Sequence, residues 1–278
     1  MEKVRPKRSV LFMPGSNARA LEKARMLDCD VVALDLEDAV APDAKDAARA
    51  AVCMAVSARI FSDKEVVIRI NPLSSVWGAE DLKAVTKARP DAVILPKVQG
   101  ADDIAEIIKH APGLKIWAMI ETPSAVLNVS AIAGAGVQCL MLGSNDLMKD
   151  LRAQAMPGRE NLWTAMSLVV LAARARGIGA IDGTYNDIAD DAGLTRACAQ
   201  GRAFGFDGKT LIHPSQIEAA NRAFAPSEKE IAEARRIQAA FAQNPGASVL
   251  ALDGRMLERL HAEEAARILA LAEATRPK

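Results

Sequence analysis

Aromatic residues are scarce in this chain: phenylalanine, tryptophan and tyrosine make up 4% of 278 residues, with a single tyrosine. That scarcity argues against an aromatic-rich β-sandwich. The aliphatic and alanine content behind the 50% hydrophobic fraction suits parallel strands covered by helices. Net charge is lacking as well, since 35 Lys and Arg balance 35 Asp and Glu, and a neutral chain offers no electrostatic case for nucleic acid or an anionic membrane. Cysteine is limited to Cys29, Cys53, Cys139 and Cys198, none in a Cys-x-x-Cys pair, and three histidines are too few to complete a zinc cluster. Free thiols in a reducing compartment are expected. The basic start is followed by an apolar run, Val10 to Met13, too short for a signal peptide, and no run approaches the roughly 20 apolar residues of a membrane span. These absences point to a soluble, cytoplasmic protein. Two motifs are also missing: a Gly-x-Gly-x-x-Gly turn after the first strand and a Gly-x-Ser-x-Gly nucleophile elbow.

What the chain does have is a regular alternation. Short continuous apolar runs predict strands at Ser9–Met13, Val31–Asp35, Val66–Ile70, Ala92–Leu95, Ile116–Ile120, Cys139–Leu142, Gly179–Ile181 and Gly208–Ile212. Alanine-rich segments with helical spacing lie between them, among them Asp43–Ile60, Asp102–His110, Asn161–Arg176 and Asp190–Phe204. Continuous apolar strands imply burial on both faces, and strand–helix alternation implies parallel pairing. About eight βα units are the number that closes a TIM (β/α)8 barrel, and the missing glycine fingerprint weighs against an open doubly wound sheet. The barrel is expected over residues 1–222. A helical extension follows over 223–278, with helices at Pro214–Phe224, at Ser227–Ala242 behind a Ser227/Glu230 capping box, and at about Met256–Glu273.

Chemistry in such a barrel sits where strands end. Those positions carry Asp35, Glu37 and Asp38, then Arg69 and Asn71, Lys97, Glu121, Asn145 and Asp146, Asp182, and His213. Each has a plain structural reading. Glu121 can favour the dipole of a helix capped by Thr122 with Pro123 at its first position, and Asp146 can cap its own helix. Arg69 can simply pair with Glu37 or Asp38. Together, however, Glu121 and Asp146 supply two carboxylates from adjacent strand ends, a donor set that suits an open magnesium site completed by substrate and water. The planar fork of Arg69 suits a carboxylate or enolate oxygen. For Lys97, charge support of Glu121 or substrate is favoured over Schiff-base chemistry. For His213, a hydrogen-bonded structural role is favoured over a general base.

Six segments carry a resemblance: Arg8–Ser16, Leu34–Pro42, Arg69–Asn71, Leu95–Lys97, Ile120–Pro123 and Gly205–Gln216. They are similar, in order, to signatures of the citrate lyase β-subunit-like family of the HpcH/HpaI aldolase superfamily, which includes malyl-CoA and citramalyl-CoA lyases and malyl-CoA thioesterases. The resemblance implies a homotrimer or hexamer and magnesium, with manganese as a substitute, held by Glu121 and Asp146. It also implies that Arg69 contacts the acyl group or oxo acid, and that Pro14, Gly15, Arg19 and Lys45 lie toward the CoA phosphates. Glu37, Asp38, Asn71 and Lys97 would support the site. The activity implied is cleavage or formation of a 3-hydroxyacyl-CoA through a thioester enolate, giving acetyl-CoA and a 2-oxo acid. A malyl-CoA thioesterase, a subunit acting on an acyl carrier protein and an inert barrel scaffold are the alternatives. One departure stands out: where the family commonly has an aspartate in its tail as acid/base, placed by a neighbouring subunit's lid, this chain has Glu258, in Gly254–His261. That glutamate is the expected proton-transfer group.

Overall fold

A computed structural model describes residues 5–61 and 64–275. The strands are β1 (Ser9–Pro14), β2 (Val31–Asp35), β3 (Glu65–Arg69), β4 (Ala92–Leu95), β5 (Ile116–Ile120), β6 (Cys139–Leu142), β7 (Gly179–Asp182) and β8 (Gly208–Leu211). Each pairs in parallel with the next, and β8 returns to β1, closing the barrel. The TIM-barrel expectation is met, with strand limits shifted by no more than one residue at either end.

Alternation along each strand divides two layers. Val31 and Ala33 of β2, Trp117 and Met119 of β5 and Cys139 and Met141 of β6 form one cluster of side chains, while their neighbours in sequence pack elsewhere. Both sets are buried, which is why the strands read as unbroken apolar runs. Helices between strands supply the outer cover, such as Lys45–Ser57, Ala101–His110, Trp163–Ala175 and Asp191–Phe204. Among the described residues no helix is long and apolar enough to cross a membrane. The four cysteines are free; three are buried and Cys53 is half-buried.

The chain divides into two compact units, one over Lys7–Ala223 and the other built from Phe224 onward. In the second unit, helix Glu228–Gln243 begins with the expected Ser227/Glu230 capping box. The expected start of the last helix at Met256 is corrected. An antiparallel hairpin, β9 (Val249–Leu252) with β10 (Arg255–Glu258), precedes helix Arg259–Ala274. Its two-residue turn is Asp253-Gly254, with φ of 52° and 74°. Asp-Gly between two apolar runs favours a tight hairpin whose turn residues both take positive φ. Arg255–Glu258 therefore pairs as a strand, and Glu258 becomes the N-cap residue of the helix.

Candidate active site

At the carboxyl end of the barrel, Arg69 is the most heavily engaged residue. Its Nε and Nη2 donate to Asp35 Oδ1 and Oδ2 at 2.7 and 2.6 Å, and Nη1 lies 2.9 Å from Glu37 Oε2 and 3.5 Å from Asp38 Oδ2. The guanidinium also stands over the Phe12 ring, 5.1 Å from its centroid. Burial opposes the charged form, yet the Asp35 hydrogen bonds and charge outweigh it and raise the Arg69 pKa. The pairing with Glu37 and Asp38 considered from sequence is present, but Asp35 is the principal partner. Its place as the last residue of the buried strand β2 was the available signal.

Three carboxylates thus share one guanidinium. Glu37 is the loser: it is buried, and although Oε2 is near Arg69 it has no aligned hydrogen bond. Burial pushes its carboxyl up to about 8, against the opposing pull of Arg69. Asp38, by contrast, has a side chain open to solvent.

Glu121, at the end of β5, is fully buried. Its Oε1 accepts from the Lys97 backbone N–H at 2.6 Å, while Oε2 has no hydrogen-bond partner. Burial raises its pKa, and the Lys97 amide and ammonium only partly offset that effect. Gly143, just after β6, makes room for this side chain, since a Cβ there would overlap Glu121. Asp146 sits in the first turn of helix Ser144–Asp150 and makes no cap, because Gly143 is the N-cap residue. The Lys97 ammonium lies 2.8 Å from Asp146 Oδ2 and 3.9 Å from Glu121 Oε1. Burial disfavours its charge, but the Asp146 hydrogen bond prevails and raises the Lys97 pKa. Lys97 reaches this place from a left-handed backbone, φ 53°.

A positive side chain between two carboxylates, beside a buried oxygen without a partner, marks a place built for positive charge. Magnesium typically takes one or two protein carboxylates and fills its other positions with water and substrate. Glu121 and Asp146 fit that requirement. No larger cluster of metal-binding side chains occurs among the described residues.

The remaining expected residues divide by exposure. Pro14 ends β1, the Gly15 amide donates to Asp35 O at 2.8 Å, and Arg19 is exposed in helix Ala18–Ala24. Lys45, implied by the resemblance to lie toward the CoA phosphates, spends its ammonium within the chain. It is buried, and its ammonium donates to the Leu36 and Glu37 carbonyls and to Asn71 Oδ1 at 2.7–2.8 Å. With three donors spent, it braces the ends of β2 and β3. Asn71 completes that brace by donating to Leu36 O and Asp81 Oδ2. His213 Nδ1 accepts from the Ser215 amide and caps a short 3-10 turn, the favoured structural role.

Asp182 does not join the rim charges either. It is fully buried under helix Asp191–Phe204, accepting from Lys209 Nζ at 2.8 Å and from Arg159 Nη1 at 2.8 and 3.0 Å. Burial alone would raise its pKa, but Lys209 and Arg159 together lower it. Period-two alternation explains the displacement: Ile181 takes the inward place on β7, so Asp182 turns outward.

Comparison with known proteins gives the family of the chain. A family model described as HpcH/HpaI aldolase/citrate lyase matches residues 8–214. The chain is 43% identical over 272 residues to a (3S)-malyl-CoA thioesterase of Cereibacter sphaeroides, covering 97% of this chain and 95% of that one. It is 35% identical over 286 residues to the citrate lyase subunit beta of Escherichia coli, covering 98% and 95%. The crystal structure of CitE from Mycobacterium tuberculosis in complex with magnesium, acetoacetate and coenzyme A superposes with a TM-score of 0.81 at 30% identity, over 97% of this chain and all of that one.

Proposed function

Because the chain belongs to the HpcH/HpaI aldolase/citrate lyase family, we propose that it is a magnesium-dependent carbon–carbon lyase acting on a malyl-CoA-type 3-hydroxyacyl thioester. The products are acetyl-CoA and a 2-oxo acid. The observation that carries the reading is Glu121: a buried carboxylate, one oxygen unpartnered, sharing the Lys97 ammonium with Asp146. Glu121 and Asp146 would hold the magnesium, which when bound supplies positive charge to oxygens that become anionic.

The chain's own residues do the rest. Arg69, fixed in direction by Asp35, presents a cationic edge to a substrate carboxylate or to the enolate oxygen. The hydroxyl proton passes to water, the bond between the hydroxyl-bearing carbon and the thioester α-carbon breaks to leave the 2-oxo acid carbonyl, and its electron pair becomes the thioester enolate. Glu258 gives that enolate carbon a proton, or removes one from acetyl-CoA in the condensation direction. Pro14, Gly15 and Arg19 serve the CoA side, and three copies of the chain assemble as a trimer.

The relative from Cereibacter sphaeroides favours a second reading, hydrolysis of malyl-CoA at the thioester. There Glu258 directs water at the acyl carbon, and the carbon–carbon bond survives. Incubating the protein with malyl-CoA and magnesium separates the two. Glyoxylate with acetyl-CoA is expected; free malate with CoA would replace the lyase by the hydrolase. No turnover with CoA thioesters, but turnover of an acyl carrier protein thioester, would assign it to a multi-subunit lyase.

A further inference from the structure

One side-chain contact after the strand ends, among others there, is not used by the chemistry above. Asn145 and Asn186 exchange two hydrogen bonds through their side-chain amides. Asn186 Nδ2 donates to Asn145 Oδ1 at 2.8 Å, and Asn145 Nδ2 donates to Asn186 Oδ1 at 3.2 Å. Asn145 precedes Asp146 in the first turn of helix Ser144–Asp150, and Asn186 lies in the irregular segment between β7 and helix Asp191–Phe204. Both residues are exposed. Amides in water gain little net free energy from one another, so a reciprocal pair at this position contributes little to global stability. Its geometric effect is larger, because it ties the first turn of helix Ser144–Asp150 to a loop residue 41 positions away in sequence.

The segment holding Asn186 is itself anchored. Tyr185 donates its hydroxyl to Asp190 Oδ2 at 2.5 Å, and Gln216 Nε2 donates to the Tyr185 carbonyl at 2.9 Å. Gln216 is buried and also accepts from the Ile212 amide at the end of β8. Asn186 therefore reaches Asn145 from a fixed base. On its other flank Asp146 is held by Lys97 at 2.8 Å. The first helical turn is thus gripped from the β4 side through Asp146 and from the β7 side through Asn145.

We propose that the Asn145–Asn186 amide pair is a positioning clamp that sets the orientation of Asp146 for metal binding. The inference rests on Asp146 being a magnesium ligand. Groups that orient a metal ligand from behind typically change affinity far more than they change folding.

Titration calorimetry with magnesium alone, on the full chain, tests it. Asn186→Ala and Asn145→Ala are each expected to weaken magnesium binding by roughly tenfold. The double variant is expected to be no weaker than either single one, because both remove the same contact. Melting temperature should stay at the wild-type value. Asp146→Ala is the reference and should abolish binding. If it does and the asparagine variants bind like wild type, or their losses add, the clamp is overturned while the metal assignment stands. If Asp146→Ala binds magnesium normally, the metal assignment falls and the clamp falls with it.

Discussion

Asp35 holds Arg69 through two parallel hydrogen bonds, Nε to Oδ1 and Nη2 to Oδ2, and both side chains are buried. The pairing fixes the plane of the guanidinium before any substrate arrives, leaving Nη1 to face Glu37 and Asp38. A fork held along one edge can be aimed; a lysine at the same position cannot span both oxygens.

Arg69→Lys is accordingly expected to lower kcat/KM for thioester cleavage by about 100-fold, the scale of a misaimed binding group. Asp35→Asn should cost about 3–5 kcal/mol of stability, because it leaves a buried guanidinium short of its main partner. Urea denaturation measures the second effect. Full activity in Arg69→Lys would remove Arg69 from the reaction.

Glu121 is a group whose charge folding alone disfavours. Its burial raises its pKa and one oxygen is unpartnered. Without divalent metal, Glu121→Gln should therefore be as stable as wild type, or more stable by about 1 kcal/mol. The stabilisation that added magnesium gives to wild type should vanish in this variant. Gly143→Ala should reproduce that loss by displacing the Glu121 side chain. Thermal melts with and without magnesium read all three, and an unchanged magnesium response in Glu121→Gln would refute the metal site.

Glu37 gives the pH dependence. Burial first, opposed by Arg69, takes its carboxyl from 4.5 to about 8. A proton held more tightly in the folded chain stabilises it fully below pH 4.5, progressively less through the interval, and not at all above about 8. Wild type should thus lose stability relative to Glu37→Gln as pH rises through that window, by a few kcal/mol, with a constant difference above it. Urea denaturation without divalent metal, at about pH 5 and about pH 9, brackets the window. Parallel behaviour of the two proteins would mean that Glu37 is ionised throughout.

Glu258→Gln separates proton transfer from metal binding. Magnesium affinity should be unchanged while kcat falls by about 100- to 10,000-fold, the usual contribution of a positioned acid or base. Exchange of the acetyl-CoA methyl protons with deuterated water should disappear with it. Exchange at the wild-type rate would move the acid/base role to another residue.

Most of the barrel was legible because its strands are buried on both faces and bounded by helices with strong apolar periodicity. Helix Ala101–His110 differs by one residue from its sequence limits for that reason. Residues at strand ends were legible as a set, but not their directions. A period of two decides whether a side chain enters the barrel or turns outward, and an error of one position reverses it. Asp182 is such a case, and Arg69, one place beyond Ile68, is the converse. Lys45 was named through the resemblance alone, and only the packing shows its three donors turned to Leu36, Glu37 and Asn71. The hairpin before the last helix was readable from Asp253-Gly254, but the helical periodicity beyond it extended the apparent helix backwards.

That hairpin has an evolutionary consequence. Glu258 ends β10 opposite Val249, and the two-residue turn counts out the distance to it. Because successive residues of a strand face opposite ways, inserting or deleting one residue near the turn would rotate the carboxylate through half a revolution without replacing any chemical group. On the proposed role of Glu258, descendants of such a chain have two independent routes to a new reaction: exchanging that carboxylate, or changing how many residues precede it.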